Sequence, residues 1–229
     1  CLWIGDLMMI ITIDGPTASG KSTVAKLLAK KLYFAYLNSG LLYRGIAYVL
    51  VHFLGYDEQQ LSNPKQADLD QITQNHHFKY LYENNQPKVI YNDVDVTAYL
   101  KTKEMDNYAS ISSAAPQVRA SLMAIQQQIA QKNNIVAEGR DTGTVVFPNA
   151  KIKIFLTASL EVRAQRWQTF MHKQGKDYSL DESKKLVDER DQRDIHRSIA
   201  PLMPAKDAVI IDSSNLDIDQ VINQITSLL

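Results

Sequence analysis

Short β-branched runs alternate along this chain with stretches of helical spacing. Met9–Ile13 is an apolar run closed by Asp14-Gly15-Pro16, the pattern of a buried strand entering a tight turn. Val24, Leu27, Leu28 and Leu32 keep helical intervals and predict a helix from Lys21 to Tyr33; Leu41–Leu54 predicts a second. Gly55–Gln74 is polar, carries Pro64, and reads as loop with a short helix. From His77 to Thr97 the period changes to two. Phe78, Tyr80 and Tyr82 precede Asn84-Asn85-Gln86-Pro87, and Val89, Tyr91, Val94 and Val96 follow it, which predicts a small antiparallel hairpin or meander. Val118, Leu122, Ile125 and Ile129 share a helical face and lead into a core strand at Ile135–Ala137. Lys151–Ala158 and Ala208–Asp212 read as further core strands, followed by helical patterns over Leu160–Gln174 and Asp217–Leu229. Such alternation predicts an α/β fold, a parallel sheet covered on both faces. Leu180–Ile199 is so densely charged that it reads as a solvated helix or a mobile lid over a charged ligand.

Composition narrows the classes. The 229 residues suffice for one domain, or one with a sizeable insert, and a 45% apolar fraction with 22% charge is that of an ordinary globular protein. Lys+Arg and Asp+Glu balance at 25 each, so no global basic field favours a nucleic-acid backbone, and any anion site is local. Seven of the eight arginines (Arg44, Arg119, Arg140, Arg163, Arg166, Arg190, Arg193, Arg197) follow residue 100, which hints at an anionic ligand gripped from the C-terminal half. Cys1 is the only cysteine, which excludes an intrachain disulfide and a multi-thiolate zinc site and fits a reducing cytoplasm. No apolar run approaches the ~18 residues of a membrane span. Cys1–Met8 lacks the basic flank and cleavage site of a signal peptide and is expected to precede a natural start at Met8 or Met9. His76, His77 and His196 show no metal-ligand spacing, and Trp167 and the meander tyrosines are expected to serve packing.

Gly15-Pro16-Thr17-Ala18-Ser19-Gly20-Lys21-Ser22 matches G-x-x-x-x-G-K-[ST] between a predicted strand and a predicted helix. Glycines let backbone N–H groups wrap phosphates, the helix dipole favours the anion, Lys21 reaches the β and γ oxygens, and the Ser22 hydroxyl can ligate Mg²⁺. The bland alternative is a chance Gly-rich turn. A GTPase switch, an ATPase motor and a small-molecule kinase all use such a loop, but a guanine-reading Asn-Lys-x-Asp after a core strand is absent, and nothing suggests a motor's further sensing elements.

Three further segments carry chemistry. In Asn38-Ser39-Gly40-Leu41-Leu42-Tyr43-Arg44, Ser39 is equally a helix N-cap or a ligand group, and Arg44 lies in an apolar helix where a guanidinium needs an anion, either a ligand or a structural carboxylate. Glu138-Gly139-Arg140-Asp141-Thr142-Gly143 follows a core strand at the edge where open α/β sheets bind ligands. There Arg140 can pair with phosphate and Asp141 can accept from an exocyclic amine or order Mg²⁺ waters; the alternative is a loop-stabilising Arg–Asp pair. Arg190, Asp194 and Arg197 fall at i, i+4 and i+7, expected on one helix face, with Arg193 and Arg197 a second such pair. They read as solvated ion pairs or, beside a phosphate loop, as groups neutralising a transferring phosphoryl.

Taken together, Ile11-Thr12-Ile13-Asp14-Gly15-Pro16, Ser39-Gly40-x-x-Tyr43-Arg44, Glu138-Gly139-Arg140-Asp141-x-Gly143-Thr144-Val145-Val146-Phe147-Pro148 and Glu189-Arg190-Asp191-x-Arg193-Asp194 resemble, in order, the motifs of the bacterial cytidylate kinases among the nucleoside monophosphate kinases. The resemblance covers Met9–Leu229 and is most specific from Gly139 to Pro148. It implies a P-loop kinase core with a five-stranded parallel sheet over residues 9–63 and 132–229, a helical lid at about 160–199, and a monophosphate-binding insert at 64–131. It implies phosphoryl transfer from MgATP to CMP or dCMP, by a monomer without nucleic-acid or membrane partners. Gly15, Pro16, Thr17, Ala18, Ser19, Gly20, Lys21, Ser22, Thr23 and Arg166 would hold ATP. Ser39, Arg44, Ser110, Arg119, Arg140, Asp141, Arg190, Asp194 and Arg197 would hold CMP, with Arg44, Arg119 and Arg140 on its phosphate and Ser110, Asp141, Arg190 and Asp194 reading cytosine and ribose. Lys21, Arg140, Asp141, Arg190 and Arg197 would carry catalysis. Two positions depart from the family: Asn38 stands where Asp is frequent, and Thr17-Ala18-Ser19 where Ser-Gly-Ala or Ala-Gly-Ala is usual. Phosphorylation of UMP or dTMP by the same kind of kinase, and a nucleotide-dependent switch without chemistry, are the competing readings.

Overall fold

A computed structural model of the chain describes residues 8–74 and 77–229. Residues 1–7, expected to precede the natural start, and His76 lie outside the described residues. Two compact units emerge, one formed by Ala35–Asn134 and the other by Met9–Phe34 together with Ile135–Leu229.

The second unit is built around β1 (Ile10–Asp14), which pairs in parallel with β6 (Ile135–Gly139) and β7 (Ile152–Thr157); β7 pairs in parallel with β8 (Val209–Asp212). With β2 (Ala35–Asn38) the sheet has five strands in the order β2-β6-β1-β7-β8. Ile11 and Ile13 on β1 and Ile135, Val136 and Ala137 on β6 are buried, as the uninterrupted apolar runs require of strands covered on both faces. The register sets Asp14 beside Gly139, so the loops that leave β1 and β6 start side by side at the carboxyl edge. Helices α1 (Lys21–Leu32) and α9 (Ile218–Thr226) belong to this unit, and α7 (Leu160–Lys173) packs against α8 (Leu180–His196). A capping box, Ser179 with Glu182, starts α8.

The first unit holds α2 (Ser39–His52), α3 (Glu58–Leu61), α4 (Gln66–Thr73), a small antiparallel sheet of β3 (Phe78–Glu83), β4 (Gln86–Tyr91) and β5 (Val94–Asp95), then α5 (Lys103–Ser112) and α6 (Pro116–Ala130). Asn84 and Asn85 have φ of 51° and 59°, and Asn92 and Asp93 47° and 62°, the left-handed pairs that two-residue hairpin turns demand. Gly45 lets α2 lie close on this sheet, because a Cβ there would sit 2.9 Å from both Phe78 and Val89.

The structure adds one element, settles one cap and corrects one helix face. The residue pattern did not reveal β2, whose four residues are too few for a period. Asn38, not Ser39, caps α2: its side chain accepts from Leu41 N at 2.8 Å, and Ser39 is the first helical residue, buried. Helix α8 ends at His196, and Arg197 is extended at φ −64°, ψ 140°, so it does not continue the face of Arg190 and Asp194.

Candidate active site

The phosphate loop runs from the end of β1 to the start of α1. Gly15 has φ 151°, and a Cβ there would meet the Leu156 carbonyl oxygen at 2.0 Å, so only glycine lets the loop leave the sheet. Gly20, at φ 95°, is the N-cap of α1. Lys21 is buried and donates from Nζ to the Pro16 carbonyl at 2.6 Å. Burial, helped by the positive charge of Arg140, lowers its pKa from the ordinary 10.5 to about 7. The nearby carboxylates of Glu138 and Asp191 pull the other way without reversing the shift. Ser22 donates from Oγ to Glu138 Oε1 at 2.8 Å. That bond leaves the hydroxyl oxygen lone pairs for a hard cation, so Ser22 with Glu138 behind it fits Mg²⁺ shared with phosphate oxygens and water.

The neighbouring loop hangs on Asp14. Its carboxylate accepts from Thr142 N at 2.9 Å, Thr142 Oγ1 at 2.7 Å and Gly143 N at 2.7 Å. Burial raises the Asp14 pKa, against the opposing pull of these three bonds. A Cβ on Gly143 would lie 2.7 Å from Thr12 Oγ1, which explains glycine there. Thr142–Val146 winds as a wide π-type turn, closed by Phe147 N to Thr142 O at 2.7 Å, and it bends the chain just past Arg140 and Asp141.

Arg140 donates from Nε to Asp194 Oδ2 at 2.8 Å and from Nη2 to Thr17 Oγ1 at 3.2 Å, joining α8 to the phosphate loop. Burial alone would lower the Arg140 pKa, and Asp194, with Asp191 and Glu138, more than reverses this; Arg140, Arg190 and Arg197 in turn hold Asp194 below the usual carboxylate range despite its burial. Arg197 donates to Asp141 at 3.3 Å. The charge of Arg190 acts on both Lys21 and Asp194. Arg166 donates to the Ser19 carbonyl at 3.3 Å and to Ser213 Oγ and O at 3.0 and 2.8 Å. In this unit the structure thus brings together Lys21, Ser22, Arg140, Asp141, Arg166, Arg190, Asp194 and Arg197.

The first unit supplies Ser39, Arg44, Ser110 and Arg119. Arg44 donates from Nε to Asp106 Oδ1 at 2.8 Å, so the anion that its apolar helix demands is, in the protein alone, a carboxylate on α5. Arg119 on α6 is buried, donates to the Ser113 carbonyl at 3.2 Å, and lies over the Tyr43 ring, 5.6 Å from its centroid. Ser110 is half-buried on α5. Tyr80 Oη accepts from Asn38 N at 2.9 Å and donates to Tyr36 O at 2.8 Å, so one meander tyrosine fixes the start of α2. Trp167 packs on Tyr178 at 4.9 Å.

Reading the residues alone missed Glu138, Arg163, Asp191 and Ser213. Glu138 had a visible signal, a carboxylate closing an apolar strand. Asp191 and Arg163 did not, because acids and arginines fill α8 and α7 and only the fold shows which two are buried.

A strand, Gly-rich loop and helix at the carboxyl edge of a parallel sheet, with an arginine-bearing helix pair behind it, define a P-loop phosphotransferase architecture. A family model described as cytidylate kinase matches residues 11–229. Cytidylate kinases of Ligilactobacillus salivarius and Marinomonas sp. are 41% and 43% identical, covering 96% and 94% of this chain and 95% and 93% of their own. That of Carboxydothermus hydrogenoformans is 39% identical over 96% of this chain and 97% of its own. An uncharacterized protein from Eubacterium ventriosum shares the fold at 13% identity, with a TM-score of 0.52 over 96% of this chain and 97% of its own. The chain belongs to the cytidylate kinase family.

Proposed function

We propose that this chain transfers the γ-phosphoryl group of ATP to CMP and dCMP. Membership in the cytidylate kinase family, over nearly the whole chain, carries the reading. A CMP phosphate oxygen attacks the γ-phosphorus in line; the new O–P bond forms as the bond to the β,γ-bridging oxygen breaks, and CDP and ADP leave. The nucleophile is already anionic near neutral pH, so catalysis is positioning and charge neutralisation, without a dedicated general base.

Gly15–Thr23 and Arg166 are assigned to ATP. Ser39, Arg44, Ser110 and Arg119 in one unit, and Arg140, Asp141, Arg190, Asp194 and Arg197 in the other, are assigned to CMP. Carboxylate and serine acceptors suit the exocyclic amine of cytosine, whereas the uracil carbonyl would leave an acceptor unsatisfied. Ser22, oriented by Glu138, would hold Mg²⁺, which when bound neutralises phosphate charge. Lys21, Arg140, Asp141, Arg190 and Arg197 carry the catalytic assignment. Functionally, 64–131 is the acceptor insert on a core of 9–63 and 132–229, with α7 and α8 within the lid at 160–199.

No helix among the described residues is long and apolar enough to cross a membrane, and no group of three or more His, Cys, Asp or Glu there could hold a metal. We place the enzyme in the cytoplasm as a monomer. ADP release with MgATP and CMP, dCMP, UMP, AMP, GMP or dTMP in parallel tests the reading. Turnover concentrated on CMP and dCMP supports it, turnover on UMP or dTMP reassigns the acceptor, and ATP binding without turnover on any acceptor overturns it.

A further inference from the structure

One residue of the phosphate loop holds a backbone conformation that its side chain disfavours. Ala18 has φ 58°, in the left-handed region, where the Cβ of an L-residue crowds the following carbonyl oxygen. Such a conformation persists only where the surroundings over-determine it.

The peptide planes on either side of Ala18 set its φ and ψ, and both are held. On the C-terminal side, Ser19 N donates to the Pro16 carbonyl at 3.4 Å. On the N-terminal side, the Thr17 carbonyl accepts from Arg163 Nη1 at 3.2 Å, while Thr17 N donates to Asp191 Oδ1 at 2.7 Å. Arg163 is itself anchored, its Nε donating to the Ala158 carbonyl just past β7 at 3.0 Å and its Nη1 to Asp191 Oδ2. The two side chains are only 11% and 4% exposed, so water does not compete for these bonds. Asp191 and Arg163 therefore grip both the N–H and the C=O of a single loop residue, from two different helices.

We propose that Arg163 and Asp191 are positioning residues for ATP, a clamp on Thr17 that keeps Ala18 left-handed and the loop amides aimed at the phosphates. The inference rests on the assignment of Gly15–Thr23 to ATP. It requires that the clamp matter less when residue 18 adopts positive φ without strain, as glycine does.

Steady-state kinetics and MgATP titration of D191N, R163K, A18G, A18G/D191N and A18G/R163K test it, with thermal melts to confirm folding. In D191N the KM for MgATP is expected to rise about tenfold, equivalent to ~1.4 kcal/mol, with kcat changed much less. R163K, whose single ammonium cannot span the Thr17 and Ala158 carbonyls together, should behave alike. In the A18G background each penalty should shrink to about twofold or less. An equal penalty in both backgrounds, or none in either, overturns the clamp. Hydrogen exchange in the unaltered protein reads the same point without a variant: a Thr17 amide exchanging as fast as an exposed loop amide also overturns it. K21A separates the two layers. If K21A binds MgATP undiminished, the ATP assignment itself fails; if it loses MgATP while D191N does not, only the clamp fails.

Discussion

The phosphate loop and the Arg44 region of the first unit are both proposed to hold phosphate, and their cations are paired differently. Around the loop the pairs are sealed: Arg163–Asp191 is 11% and 4% exposed, Arg140–Asp194 19% and 17%. Arg44–Asp106 is looser, 24% and 33% exposed, and links α2 to α5 through Arg44 Nε. Sealed pairs fix geometry before ligand arrives, so little ordering free energy is lost on binding. A half-exposed pair is weaker, and a phosphate can take over from its carboxylate. On the proposed assignment the loop acts as a template, whereas Arg44 is an exchangeable contact.

The largest expected effect lies on the template side. Lys21→Ala and Arg140→Ala should each lower CMP phosphorylation by about 10³-fold or more while the protein stays folded by circular dichroism. Full activity in either purified variant removes that residue from the catalytic assignment. On the other side, Arg44→Ala should raise the KM for CMP by roughly 10–100-fold, the scale of one charge-assisted phosphate contact, with the KM for ATP changed little. An equal rise for both substrates would make Arg44 a structural residue.

Protonation offers a third test, because only the template holds a lysine titrating near neutrality. Polyphosphate favours the charged amine, so below pH 7, where Lys21 is already charged, MgATP should bind without proton uptake. Above a pKa of about 7, binding should draw in roughly one proton and weaken as pH rises, measurable by calorimetry in buffers of different ionisation enthalpy. For the protein alone the sign follows from a folded value of about 7 beneath the ordinary 10.5: the cost of burying the charge is full below pH 7, and stability rises with pH from there to 10.5. The smallest effect belongs to Asp106→Asn, which leaves Arg44 a neutral partner and should lower the KM for CMP by about two- to threefold. A rise instead would show that Asp106 orients Arg44 rather than competing for it.

The sequence exposed most of this. Gly15–Ser22 was legible because a strand, a fixed glycine spacing and a helix coincide. The meander was legible because its tyrosines and valines alternate on either side of the Asn84-Asn85 turn. Strand β2 was hidden by its length. The cap of α2 stayed open because Asn38 and Ser39 are both cap-formers, and only the Asn38 bond to Leu41 N decides between them. Arg197 was put on a helix face because charge spacing does not reveal where α8 stops. Arg163 and Asp191 needed the fold, since their meaning lies in which charges are shut away from water and which merely decorate a helix.

One feature of the sheet bears on how the protein is born. β1 is made before either of its partner strands, and the earlier of them, β6, begins at Ile135, opposite Ile10. At ~5–20 residues per second, the apolar Ile11–Ile13 stretch must wait on the order of ten seconds for the neighbour that covers it. During that interval Ala35–Asn134 is completed, so nascent chains that stop just short of β6 are where holdase chaperones should crosslink most strongly to β1.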